Sequence, residues 1–373
     1  MNILIVKLSA IGDVLHTLPA LNALRARYPK ARITWVVEEA AADLVEGHPS
    51  LDRVLVSQRK RWIRELVSGS RRRETLREIQ GFLRALRETR YDLVIDFQQL
   101  LKSGILVALA RGGVKAGFGP GMQHMEMSYL FLNRAVPRVS MEIHALSRNL
   151  ILLAALGIPA SGVAYRLPVD AADRRAVDGI LEQAGLAGSR RLVVINPVAQ
   201  WETKLWPNRR FAALADRLAR DYGAHIVFTG GPGDRAIVGE ILSKMATPGV
   251  DLSGKTTLRT LAALYERARL VISTDTGPMH LAAAVGAPVT AVFGPTAPWR
   301  TGPFGPGHSV VRLGPPCSPC FKRVCPRGDH LCMEALGVEA VLKGVERLGL
   351  MPVTEFQNET DGSPPPEQTP PRG

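Results

Sequence analysis

Cysteine is scarce in this sequence, four among 373 residues, far too few for a disulfide scaffold. Unbroken apolar runs are missing as well. Residues 281–299 carry no charge, but Pro288, Pro295 and Pro298, with Gly286 and Gly294, divide them into helix, turn, strand and loop rather than a membrane span. Met1 to Val6 lacks a charged n-region, and Lys7 stops the run before it reaches the length of a secretory signal. The expectation is a soluble, cytoplasmic chain. Acidic residues are in deficit, 34 Asp and Glu against 47 Lys and Arg, which leaves a net charge of +13. That excess points to an anionic partner: nucleic acid, a membrane surface or a phosphorylated substrate. Composition does not choose among them.

What is present is ordinary globular material, 46% hydrophobic and 22% charged, which excludes wholesale disorder, collagen and a coiled-coil rod. The length suits two domains. Short β-branched runs at 3–7, 32–37, 52–56, 92–97 and 114–118 alternate with helical patterns. After a helical stretch near 143–156, the alternation restarts with strands at 192–196, 225–228, 250–252, 270–273 and 289–293. Alternation of this kind makes βαβ units and parallel sheets. Two such series predict an α/β protein of two Rossmann-like domains facing a cleft, residues 1–165 and 166–350. Residues 351–373 form a Pro-rich acidic tail, predicted to be disordered. The tail carries a net −3, so the body holds about +16.

The positive charge is concentrated. Residues 59–90 hold eleven Lys and Arg against four Glu. For 77–90 a solvated helix face with Glu–Arg pairs, Glu74 and Glu78 against Arg77 and Arg84, explains the pattern as well as a ligand does. Lys60, Arg61 and Arg64 follow a strand and loop, where ligands of doubly wound sheets bind, and are predicted to meet an anion.

Three loops and one turn carry candidate chemistry. The first strand runs through Gly12 and Asp13 into a helix. Asp13 is equally well read as a helix-capping acid and as a general base at the cleft edge. In the second series, Lys204 is the cation of one strand-end loop, Asp234 closes the Gly230-Gly231 loop, and Asp275-Thr276-Gly277-Pro278 opens a helix able to receive a phosphate. His280 on that opening turn is either a packed histidine or a ligand contact. Gly249 to Thr256 spells the P-loop expression, but its interior reads as a strand, so an ATPase loop is rejected. Cys317, Cys320, Cys325 and Cys332 stand together near His330. Their spacing suits a structural zinc site, with free thiols as the alternative.

The run Ile5 to Leu21, Trp35–Glu39 (Trp-Val-Val-Glu-Glu), Arg61-Trp62, Asp92 to Gln98 with Lys102-Ser103, Lys204 to Pro207, and Ser273 to Leu281 resemble bacterial lipopolysaccharide heptosyltransferases, glycosyltransferase family 9. The likeness spans about residues 1–350 and is greatest to heptosyltransferase I. It implies the GT-B fold, with acceptor on the first domain and nucleotide sugar on the second. It further implies inverting transfer of L-glycero-D-manno-heptose from ADP-heptose to the Kdo of Kdo2-lipid A, with no catalytic metal. The place implied is the cytoplasmic face of the inner membrane, on its anionic surface, with no nucleic-acid partner. Under that resemblance Asp13 is the base. Lys204, Asp234, Asp275, Thr276, Gly277 and His280 hold the donor, and Lys60, Arg61 and Arg64 face the acceptor, with Asp96 and Gln98, at the end of a cleft strand, either acceptor-side or structural. The alternatives are heptosyltransferase II or another family 9 transferase with a different acceptor. Further off is a basic nucleic-acid-binding protein, for which residues 59–90 interleave few aromatics beyond Trp62 and Phe82. The cysteine cluster and the acidic tail depart from the heptosyltransferase I pattern.

Overall fold

The structure is a computed structural model that describes residues 1–122, 126–160 and 162–350; the tail expectation lies outside these. Twelve strands form two sheets. The first contains β1 (Asn2–Val6), β2 (Arg32–Glu38), β3 (Arg53–Ser57), β4 (Tyr91–Asp96), β5 (Gly112–Phe118) and β6 (Arg134–Val136). The second contains β7 (Leu192–Asn196), β8 (His225–Phe228), β9 (Gly249–Asp251), β10 (Leu270–Thr274), β11 (Val289–Phe293) and β12 (His308–Arg312). Their orders are β3-β2-β1-β4-β5-β6 and β12-β11-β10-β7-β8-β9, every pairing parallel. Both are the 3-2-1-4-5-6 order of a dinucleotide-type doubly wound sheet. The central strands β7, β10 and β11 are buried at every position, as parallel strands covered by helices on both faces must be.

Two edge strands escape the sequence pattern. β6 is three residues long, and β12 alternates buried with half-buried positions on an outer edge, so neither shows a continuous apolar run. The rejected P-loop is indeed no loop: Gly249–Asp251 is β9, and Lys255 donates to the Asp251 carbonyl at 2.8 Å. Residues 281–299 divide as expected, between the helix Gly277–Ala284, β11 and the turn of helix Pro298–Thr301. No helix among the described residues is long and apolar enough to cross a membrane.

Each sheet reverses its order between its two central strands, β1 and β4 in one, β7 and β10 in the other. The loops leaving those four strands therefore open into crevices where ligands of such sheets bind. The two crevices meet where the helix Ile11–Leu15 packs against Gly277–Ala284. A Cβ on Gly12 would stand 2.4 Å from His280 Cδ2, and one on Gly277 would stand 2.8 Å from Ile11. These two glycines permit the close approach of backbones on which the joint between the halves depends.

Candidate active site

The loop between β1 and its helix is built by buried polar groups. The Trp35 indole donates to the Lys7 carbonyl at 2.9 Å, and Gln98 Oε1 accepts from the Leu8 and Ser9 N–H groups at 2.9 and 3.0 Å. Asp96 is 1% exposed and accepts from the Gln98 and Gln99 N–H groups and from Ser103 Oγ. Both residues thus help hold the loop: for the buried Asp96 this corrects the acceptor-side expectation in favour of the structural one, while the half-buried Gln98 spends its oxygen on the loop. Burial raises the Asp96 carboxyl above its ordinary value against the pull of those hydrogen bonds and of Lys7.

Asp13 sits in the first turn so supported. Its Oδ2 accepts from the Ala10 N–H at 3.2 Å, while 45% of the side chain remains exposed. It therefore caps the turn and still presents a carboxylate to the cleft; the two sequence readings are compatible. Lys7 Nζ lies 4.0 Å from Asp13 Oδ2 and donates to the Phe97 carbonyl at 3.1 Å. Burial lowers the Lys7 ammonium pKa, opposed by the charges of Asp13 and Asp96. Beside it Lys102 bridges Ser9 Oγ at 2.7 Å and Glu38 Oε1 at 2.9 Å, with Arg59 on the same carboxylate at 3.2 Å. Burial pushes the Glu38 carboxyl up, but Lys102 and Arg59 outweigh it and hold it below its usual range.

From the second sheet, Lys204 Nζ reaches Asp275 Oδ2 at 2.7 Å and its carbonyl at 3.2 Å, lying 4.6 Å above the Trp201 ring. Thr296 Oγ1 donates to the same Asp275 oxygen at 2.6 Å. Asp275 is 4% exposed, so its charge is compensated in place. Thr276 and Gly277 start the helix directly beyond. Asp234 accepts from the Gly231 N–H at 2.7 Å and closes a single 3-10 turn, remaining half-buried at the loop edge.

His280 is where the halves join. Its Nδ1 lies 3.1 Å from His16 Nε2, the His16 ring lies 5.0 Å from His144, and His144 Nε2 lies 3.0 Å from the Gly302 carbonyl. His16 and His144 belong to the first half, His280 and Gly302 to the second. Burial, only partly offset by the Asp275 charge, pushes His280 down to about 4; burial also lowers His16 and His144. The sign follows: all three bind protons in the unfolded chain below its value of 6.5 but resist them when folded, so the interface is at full strength above 6.5 and loses stability as pH falls. For His280 alone the loss is about 3 kcal/mol by the time pH reaches its folded value. We expect Tm to fall as pH drops below 6.5, with a flatter slope in His280→Gln. A Tm series across that range checks this.

Two further cations were absent from the sequence expectations. Arg148, from the helix Ala145–Ala155, and Arg300, from Pro298–Thr301, come from opposite halves and lie near enough to depress Arg148 electrostatically, after burial itself; Asp13 opposes both. Arg300 is 7% exposed, and Glu142 stands 3.9 Å from it. Arg148 and Arg300 lacked a sequence signal because each is made relevant by a partner more than 100 residues away, and Thr296 because it meets Asp275 from the end of the neighbouring strand.

The basic helix Arg59–Ser68 divides its charges. Arg61 is tied to Gln58, to Glu65 at 3.4 Å and to Glu78, which also takes the Trp62 indole N–H at 2.9 Å. It staples two helices together, contrary to the anion-contact expectation. The same contact removes Glu78 from the expected pairing with Arg77 or Arg84. Lys60 and Arg64 are exposed, with no carboxylate partner among the described residues. Ile63 and Val67 are exposed beside them at 49% and 80%. The four cysteines are free thiols that line one cavity, and among the described residues no three His, Cys, Asp or Glu side chains stand close enough together to hold an ion.

The model of glycosyltransferase family 9 (heptosyltransferase) matches residues 79–330. The chain belongs to this family. It is 32% identical over 373 residues to lipopolysaccharide heptosyltransferase 1 of Pseudomonas aeruginosa, covering 95% of this chain and 99% of that one. The E. coli heptosyltransferase WaaC solved with ADP superposes with a TM-score of 0.74 at 29% identity, covering 93% of this chain and 100% of that one. The same protein with ADP-2-deoxy-2-fluoro heptose gives 0.72 at 29% identity, over 93% and 99%. The two parallel six-stranded sheets are therefore the GT-B architecture of a glycosyltransferase, and heptosyltransferase I is the subtype it most resembles.

Proposed function

We propose that this glycosyltransferase moves heptose from ADP-heptose to the Kdo of Kdo2-lipid A, with inversion, during assembly of the lipopolysaccharide inner core. The observation that carries the reading is the joint at Gly12 and His280. It brings the turn holding Asp13 against the helix opened by Asp275, Thr276 and Gly277. A base from one half and a phosphate-binding loop from the other thus face one crevice, as an in-line displacement at a sugar carbon requires.

The exposed Asp13 carboxylate takes the proton of the acceptor hydroxyl as that oxygen attacks the anomeric carbon. The bond to the diphosphate breaks on the opposite side, and its electrons stay on the departing ADP. A diphosphate leaves as a stable anion, so it needs charge stabilisation more than a proton. Lys204 and the N–H at Gly277 supply that, with Asp275 fixing the lysine and His280 closing the site. Asp234, at the rim of the Gly230-Gly231 loop, is placed to meet the ribose. Arg148, within electrostatic reach of both Asp13 and Arg300, brings a guanidinium fork suited to acceptor carboxylate or phosphate oxygens. Incubation with ADP-heptose and either Kdo2-lipid A or its monoheptosylated form, read by mass spectrometry, tests the assignment. Added heptose mass on the first acceptor supports it. Reaction with only the second transfers the chain to heptosyltransferase II chemistry.

Lys60 and Arg64, unpaired beside exposed Ile63 and Val67, make a basic and apolar face for an anionic lipid surface or the acceptor's phosphates. Each basic residue near such a surface contributes about 1 kcal/mol. The double change Lys60→Ala, Arg64→Ala is therefore expected to raise acceptor KM roughly 10-fold or more, with donor KM unchanged. Steady-state kinetics with each substrate varied in turn checks this.

A further inference from the structure

Between β12 and the short helix Leu331–Glu334, residues 313–330 contain no helix or strand. From Pro316 to Cys332 no residue is buried. A stretch this long without secondary structure is uncommon in a compact domain, and one with no core of its own needs another source of order. Polar contacts supply part of it. Thr203 Oγ1 donates to the Lys322 carbonyl at 2.7 Å, the Phe321 N–H to the Pro295 carbonyl at 2.9 Å, and Ser318 Oγ to the Gly294 carbonyl at 2.6 Å. Arg323 lies 5.5 Å from the Trp201 ring centroid. The segment therefore braces the loop that carries Lys204.

All four cysteines of the chain line a single small cavity in this segment, of about 20 Å³, beside Asp329 and His330. The Gly328 N–H donates to the Cys325 carbonyl at 3.2 Å, and the Cys325 thiol stands 4.0 Å from Asp329 Oδ1. Arg327 lies within electrostatic reach of Cys317 and Cys325, where it offsets negative charge. The sulfurs line one cavity, but no three of them stand close enough together to hold an ion as they are, so binding requires them to close in.

We propose that Cys317, Cys320, Cys325 and Cys332 form a structural site for one thiophilic divalent cation, zinc by the nature of the donor set. Four thiolates close the coordination sphere and leave no open position for chemistry. On binding, each thiol gives its proton to solvent and four metal–sulfur bonds form, with no change of oxidation state. The ion supplies the order that this segment lacks from apolar burial. The proposal does not depend on which acceptor the enzyme uses.

The test uses the full chain purified without a metal-affinity tag. Elemental analysis is expected to find zinc in stoichiometric amount, and the four thiols to resist a thiol reagent until a strong chelator is added. Chelation is expected to lower Tm by roughly 5 °C or more, and zinc to restore it. Cobalt added to the stripped protein should give the intense visible bands of a tetrahedral tetrathiolate. A Cys320→Ser chain should lose the ion; where that variant does not fold, stripping and reconstitution of the unaltered chain still decide. Stoichiometric iron in place of zinc upholds the site and overturns the choice of ion. A folded chain with no stoichiometric metal, four freely reactive thiols and no response to zinc or cobalt overturns the proposal.

Discussion

Replacing Asp13 with Asn is expected to lower kcat by about 10²- to 10⁴-fold, the range over which a positioned general base contributes. The fold should survive the change. Asn retains an oxygen that can accept the Ala10 N–H, now made by Oδ2 at 3.2 Å, so the turn keeps its cap. The side chain is half exposed, so no buried charge is stranded. If anything the loss of the Asp13 charge removes a favourable partner of Lys7 at 4.0 Å, and that ammonium should titrate still more easily. The distinguishing measurement pairs kcat with Tm and with donor KM. A large fall in kcat at unchanged Tm and donor KM identifies a proton acceptor. Full turnover by the variant would return Asp13 to a capping role alone.

The sheets were legible because their strands are short apolar runs separated by helical periodicity, and burial on both faces writes that pattern directly into Val, Ile and Leu. β6 and β12 were not, since edge strands with half-buried positions carry weaker patterns. At the candidate site, Asp13, Lys204 and Asp275 follow strand ends, and position alone made them candidates, because a doubly wound sheet collects such ends into one crevice. Charge type misled where a side chain is satisfied internally. Asp96 and Gln98 look like cleft residues in the sequence, yet Asp96 spends its oxygens on the Gln98 and Gln99 N–H groups and the Ser103 hydroxyl, and Gln98 its oxygen on the Leu8 and Ser9 N–H groups. Arg61 looks like its neighbours Lys60 and Arg64, and only the placement of Glu65 and Glu78 separates them. The reverse failure is His16, which lies in a recognisable segment but acquires meaning only when His280, 264 residues away, meets it.

Lys204→Met is expected to remove activity by about 10²- to 10³-fold, the scale of losing one preorganised donor to developing negative charge. This substitution also tests stability, because its partner is buried. With Lys204 gone, Asp275 keeps the Thr296 hydroxyl at 2.6 Å but loses its cation at 2.7 Å. Breaking one side of a buried pair costs about 3–5 kcal/mol when the other charge stays behind. Restoring neutrality separates the two effects. In Lys204→Met, Asp275→Asn the stranded charge is gone, and Tm should recover most of its loss. Activity should not recover, since no cation remains to meet the departing diphosphate. Recovery of both would mean that Lys204 serves only to neutralise Asp275. Recovery of neither would mean that the pair fixes the Trp201–Lys204 loop through geometry, with Thr203 and the cysteine segment behind it losing their register together.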